Sequence, residues 1–266
     1  METVTSADRT VIACDRVGEG PVLIVCVGAF CTRTTFVAPP VLARQFTVVT
    51  YDRRGRGDSG APGVPGDPGP LAAQREYEDL AAVAAATGTG TPFVFGHSSG
   101  AAIALRAAAA GLPVAGIVAY EAPFGNDDTP RPDADPAERI RDLVAAGRNR
   151  DAVAFWMIEV TSLPGMTQAQ LDGAPWVAAL APLAPTLPYD LAVTAGGVPE
   201  AELAKITAPV LILGGGDSPA WFRRSVAEQA AATPGAQLRM LDGFGHNTPV
   251  EVIAPILTEF FTRPLG

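Results

Sequence analysis

The chain contains only two histidines, His97 and His246, so a histidine acting as general base at neutral pH must be one of them. His97 stands in "VFGHSSGAAIA" (94–104), beside two adjacent serines bounded by Gly96 and Gly100. An apolar run precedes this turn and an alanine-rich run follows it. A strand–G-x-S-x-G–helix arrangement holds its central residue on a sharp turn. The hydroxyl is lifted clear of a sheet, and the first amides of the next helix aim at the same point. Ser98 is therefore the expected nucleophile, and the Ser99 N–H an expected donor to an oxyanion. His246 lies in the glycine-bounded loop "LDGFGHNTP" and is the expected base. His97 is expected to pack locally, with its ring turned away from the nucleophile. A carboxylate must hold the far nitrogen of the base. Two candidates stand at the ends of apolar runs, Glu121 in "VAYEAPF" and Asp217 in "PVLILGGGDSP".

The runs that carry these residues alternate in type. Strands are expected over 10–17, 21–28, 46–52, 92–98, 114–122, 208–216 and 236–242, several of them continuously apolar, as strands buried on both faces are. Helices are expected over 71–87, 99–111 (with Gly111 closing it), 219–233 and 249–263, and "GAPGVPGDPGP" (60–70) can only be loop. This order implies a mostly parallel twisted sheet with helices on both faces. Residues 125–205 break the alternation with several helical segments, several prolines and no convincing strand.

Composition narrows the class. The 266 residues are 48% hydrophobic, enough for one sizeable core, and the net charge of −9 argues against nucleic acid or an anionic membrane surface as partner. Cys14, Cys26 and Cys31 are odd in number with no C-x-x-C spacing, which favours free thiols and a reducing compartment. The N-terminus lacks the basic and apolar regions of a signal peptide, and no apolar run is expected to reach the roughly 18 residues of a membrane span. A cytoplasmic protein, monomer or homodimer, is expected.

The motifs "PVLIVCVGAF", "YDRRGRGDSG", "GHSSG", "PVLILGGGDSP" and "FGHN" occur in the order and at the spacings of the α/β-hydrolase superfamily, and the sequence resembles a member of it across nearly the whole chain. The resemblance implies a core of residues 1–124 and 206–266, with 125–205 as a helical cap inserted after the sixth strand. It also implies the triad order Ser, acid, His. Where the family has His-Gly after the third strand this chain has Val27-Gly28, so the second oxyanion N–H is expected from Ala29, with Phe30 as the alternative. The family's usual acid position, counted from Pro209, falls on Ser218, one residue past Asp217. Certain lactone hydrolases of the superfamily carry the acid where Glu121 stands, and Glu121 is the favoured acid, with Asp217 the alternative.

These residues imply a cofactor-free and metal-free serine hydrolase cleaving an ester or lactone. Phe30, Trp156, Met157, Trp176, Leu183 and Tyr189 are expected to line an apolar substrate cavity. The alternatives are amide or C–C cleavage by the same residues, a tailoring step such as cyclisation, and a small-molecule receptor with a slow triad. Asp52 and Arg53 are expected to pair with backbone or with each other. Glu76, Glu78 and Asp79 are expected to face solvent or cap locally.

Overall fold

In the computed structural model, residues 1–262 are described apart from 37–39, 62, 89, 131, 133–134 and 162–165. The chain forms one sheet of eight strands: β1 (Glu2–Thr5), β2 (Val11–Val17), β3 (Val22–Cys26), β4 (Thr47–Tyr51), β5 (Phe93–His97), β6 (Gly116–Tyr120), β7 (Val210–Gly215) and β8 (Gln237–Leu241). Their order is β1-β2-β4-β3-β5-β6-β7-β8. β1 and β2 are antiparallel to their neighbours, and β4 to β8 form a parallel set with β3. β1 is the one strand absent from the sequence reading. It is four residues long and mostly exposed, and an edge strand of that kind shows neither an apolar run nor clean alternation.

The parallel strands are buried on both faces because their side chains alternate between two apolar clusters. Ile24, Cys26, Val94, Ile117 and Ile212 face the helices Ala72–Ala86, Ser99–Ala109 and Ala220–Ala232. Leu23, Val25, Phe95, Val118 and Leu213 face the helix Val250–Thr262. A right-handed parallel sheet of this construction opens its crevice at the carboxyl ends of the strands. Ser98, Glu121 and His246 all follow such ends.

Between β6 and β7, only helical elements occur among the described residues, and some of the inserted residues (131, 133–134 and 162–165) lie outside them. The helices Pro136–Ala145 and Asn149–Phe155, the π turn Trp156–Val160 and the helix Pro175–Leu180 share their own apolar cluster. Residues Pro175–Thr194 form a continuous helical stretch of 20 residues with a mean hydropathy of 1.2, long and apolar enough to cross a membrane. This differs from the run-length expectation, because polar residues inside the stretch hide it in a search for uninterrupted apolar runs. The stretch is built as two α-helices around the 3-10 segment Ala181–Thr186, and it carries Asp190, which is buried in ion pairs with the sheet's loops.

Candidate active site

Ser98 sits between β5 and the helix Ser99–Ala109 with φ 57° and ψ −131°. A non-glycine residue rarely adopts a positive φ, and its persistence marks a turn held by its surroundings. Four described non-glycine residues do so: Arg9, Phe30, Ser98 and Glu121. Three of the four are residues singled out above for chemistry. The glycines of the elbow leave room for backbone. A Cβ on Gly96 would lie 2.5 Å from Ala101 Cα, and one on Gly100 would lie 2.1 Å from the Cys26 carbonyl oxygen. A Cβ on Gly28 would lie 2.6 Å from Ser98 Cβ. The loop after β3 is thus packed directly against the serine. Gly28→Ala is expected to displace Ser98 and to slow its labelling by a fluorophosphonate by about tenfold or more, since sub-ångström misplacement of a nucleophile is costly. Labelling at the wild-type rate would contradict this packing.

Glu121 follows β6 and is fully buried. Its Oε2 accepts from His246 Nδ1 at 2.7 Å and its Oε1 from the Gly215 N–H at 2.8 Å. Burial pushes the carboxyl up, but the hydrogen bonds from His246 and Gly215 outweigh it and hold the group below its ordinary value. It is therefore a carboxylate at neutral pH. Asp217, the alternative acid, is exposed, and its amide donates to the Phe244 carbonyl. Ser218, at the position where the family usually carries its acid, is buried. With Nδ1 committed to Glu121, the His246 nitrogen left for a proton from a substrate-side group is Nε2.

The loop carrying His246 is held on several sides. Phe222 packs against the imidazole, with ring centroids 5.3 Å apart. The Tyr120 hydroxyl donates to the Gly245 carbonyl, and Thr248 Oγ1 lies 2.6 Å from that hydroxyl. His97 Nε2 donates to the His246 carbonyl at 2.9 Å, and the two imidazole rings lie 4.8 Å apart. His97 thus packs locally, as expected, and the group it packs on is the His246 loop. β5 and β8 are separated by two strands, but the His246 loop reaches back over β6, and the ring of His97 meets it there.

Burial, with His246 alongside, pushes the His97 imidazole down to about 4. In an unfolded chain it titrates near 6.5. The unfolded state therefore takes up a proton that the folded state refuses. The stability this supplies is complete above about pH 6.5 and is lost as pH falls toward 4. The melting temperature should fall across that window, and His97→Asn should flatten the fall. An unchanged slope in thermal unfolding of the variant would assign it to other groups.

Beneath the elbow lies a set of buried charges. Arg53 bonds Glu76 through Nε and Nη2, at 2.7 Å for the closest pair, and Arg54 pairs with Asp79 at 2.7 Å. Glu76 and Asp79 are fully buried, and this corrects the reading that they face solvent. Glu78 does lie nearer the surface, paired with Arg75. Arg53 pairs with neither Asp52 nor backbone; its partners are Glu76, Asp190 and the Ser99 hydroxyl. Asp52 accepts instead from the Arg33 and Asp58 amides and from the Arg33 guanidinium. The signal for this layer was present. Glu76 and Asp79 share a helix face with Ala72, Leu80 and Val83, so two acids lie on the apolar stripe, where Arg53 and Arg54 of "DRRGRG" meet them.

The six residues expected to line a cavity do not all converge. Phe30 meets Trp156 edge-to-face with centroids 6.1 Å apart, and Met157 and Ala29 pack in the same cluster. Leu183 is partly buried on the 3-10 segment. Trp176 is 42% exposed, and Tyr189 is buried on the side of Arg54. Cys26 is buried with its thiol 2.9 Å from the Tyr51 hydroxyl, and burial pushes it up to about 11, so it is no nucleophile at neutral pH. Among the described residues no three His, Cys, Asp or Glu side chains are grouped to hold a metal.

A model of the alpha/beta hydrolase family matches residues 23–254. An alpha/beta hydrolase from Sphaerobacter thermophilus DSM 20745 is 43% identical and superposes with a TM-score of 0.88, covering 98% of this chain and 100% of its own. A hydrolase from Pseudomonas aeruginosa PA01 is 22% identical, with a TM-score of 0.75 and coverage of 98% of each chain. The enol-lactonase from Burkholderia xenovorans LB400 is 18% identical, with a TM-score of 0.74, covering 98% of this chain and 100% of its own. At these lower identities the likeness is one of fold. A search of curated proteins finds no match.

Proposed function

Because the chain belongs to the alpha/beta hydrolase family, we propose that it cleaves a carboxylic ester or lactone of a mid-sized apolar molecule through an acyl-enzyme. The observation that carries this reading is the 2.7 Å bond between Glu121 and His246 Nδ1, in a chain whose Ser98 is held on a strained elbow. Glu121 keeps the proton of the neutral imidazole on Nδ1, which leaves the Nε2 lone pair free to accept. Ser98 Oγ attacks the carbonyl carbon as its proton passes to His246 Nε2, and the resulting imidazolium is stabilised by the buried Glu121 carboxylate. The carbonyl oxygen becomes an oxyanion, to which the Ala29 and Ser99 N–H groups donate. Ser99 opens its helix, so its N–H belongs to the set that has no intrahelical acceptor. His246 then returns the proton to the leaving alkoxide. Water repeats the sequence on the acyl group and restores Ser98.

The apolar substrate class rests on Phe30, Trp156 and Met157, which pack together beside the loop that follows β3. It also rests on Arg53, which donates to the Ser99 hydroxyl, and Arg56, which donates to the Gly28 carbonyl. Both are fully buried and engaged with carboxylates, so neither offers its charge to an anionic substrate. The test is turnover of p-nitrophenyl butyrate and of a medium-ring lactone, each against a matched dicarboxylate monoester. Preference for the neutral compounds is expected. Selective turnover of the anionic one would overturn the apolar assignment.

A further inference from the structure

The buried charges beneath the elbow join three distant parts of the chain. Asp190, on the helix Leu187–Thr194, is 1% exposed. Its Oδ1 accepts from Ser99 Oγ and from Arg53 Nη1, each at 2.6 Å, and its Oδ2 accepts from Arg56 Nη2 at 2.6 Å. Arg56 in turn donates from Nη1 to the Gly28 carbonyl at 2.6 Å and from Nε to Thr186 Oγ1 at 3.1 Å. Glu76 closes the far side of Arg53. Two cations and two anions thus balance out of contact with water.

Such a cluster is a weak source of net stability, because desolvating the ions offsets their attraction. What it supplies is direction, since arginine presents its donors in a rigid planar fork. Direction matters here for a covalent reason. The Gly28 carbonyl and the Ala29 N–H belong to one peptide group. Described peptide bonds are free of cis geometry, and across a trans peptide the N–H points away from the C=O. Arg56, by holding the oxygen side, sets where the Ala29 N–H points. A cation on that carbonyl also polarises the amide and strengthens its N–H as a donor. At the other end, the Ser99 hydroxyl is fixed between Asp190 and Arg53, and Ser99 carries the second N–H.

We propose that Asp190 is a positioning residue for the oxyanion hole, tying the helix Leu187–Thr194 to both amide donors: to Ser99 directly, and to Ala29 through Arg56 and the Gly28 carbonyl. The inference rests on the serine-hydrolase reading. Its energetic signature is specific. A group that aims donors at an oxyanion acts on the transition state, so its loss lowers kcat and leaves KM nearly unchanged.

Two variants test this. Arg56→Lys keeps the charge but loses the fork that reaches both Asp190 and Gly28. Arg56→Met/Asp190→Leu removes one charge of each sign, which leaves Arg53 and Glu76 balanced and no buried charge unpaired; this exchange is commonly tolerated. Should the lysine variant fail to fold, by circular dichroism and melting, the double variant carries the test. Hydrolysis of p-nitrophenyl butyrate and inhibition by a trifluoromethyl ketone, which forms a tetrahedral oxyanion, are measured on wild type and variants. In the folded variants kcat should fall by about 10- to 100-fold. Affinity for the ketone should fall by the same factor, with KM within about twofold and the pH profile of kcat/KM unmoved. A folded variant with wild-type kcat would overturn the proposal. So would a change confined to KM, or a loss of kcat with wild-type affinity for the ketone. A wild type that neither hydrolyses an ester nor reacts with the ketone would instead overturn the hydrolase reading, and the proposal with it.

Discussion

Ser98→Ala is expected to lower kcat/KM toward a pocket-sized ester by about four orders of magnitude or more, because the acyl-enzyme route then has no nucleophile. The substitution removes one oxygen from a partly buried position and leaves the elbow's glycines, the Ser98 N–H bond to the Tyr120 carbonyl and the first turn of the following helix in place. Folding should therefore be retained, with a melting temperature near that of wild type. Retained folding with lost turnover separates a chemical role from a structural one. Ser99 offers no substitute. Its hydroxyl is buried and already bound by Asp190 and Arg53. A variant that keeps more than about a tenth of wild-type activity would point to chemistry in which Ser98 forms no covalent bond, as in a non-covalent tailoring step.

The second large effect concerns the acid. Glu121→Gln should lower kcat by about 10²- to 10⁴-fold. The geometry shows why an isosteric change is so costly. The Gly215 N–H requires an acceptor at the Oε1 position, so the new amide must keep its oxygen there and turn its NH2 toward His246 Nδ1. That NH2 can only donate. It forces the imidazole proton onto Nε2, the atom that must accept from Ser98. The imidazolium formed on attack also loses its buried counter-charge. Asp217→Asn, at an exposed position, should change kcat by no more than about twofold, as surface substitutions away from a site usually do. Steady-state kinetics of the two variants measured side by side would decide, and the reverse ranking would overturn the assignment of Glu121 in favour of Asp217.

Much of this arrangement could be read before any coordinates. The continuous apolar runs at 21–28, 92–98 and 208–216 predict strands buried on both faces, and β3, β5 and β7 lie there. The G-x-S-x-G turn predicts the elbow because the glycine positions are a local steric requirement, which spacing alone encodes. The choice between Glu121 and Asp217 was harder. Each ends a strand, and the difference lies in which strand end the His246 loop folds over. That depends on tertiary contacts of Tyr120, Gly215 and Gly245, which leave no periodic trace. The buried charges were misread for another reason. Charged residues are ordinarily exposed, and a rule of that kind hides the exception in which arginines and acids from distant segments neutralise one another. Asp190 pairs with arginines more than 130 positions away in the chain, a relation that no window along the sequence can show.

The central claim is that Ser98 is an activated nucleophile. The most direct measurement is the intact mass of the protein after treatment with a fluorophosphonate, taken on wild type and on Ser98→Ala in parallel. The account predicts a single phosphonyl adduct on wild type and none on the variant. No adduct on wild type, or the same adduct on both proteins, would contradict it.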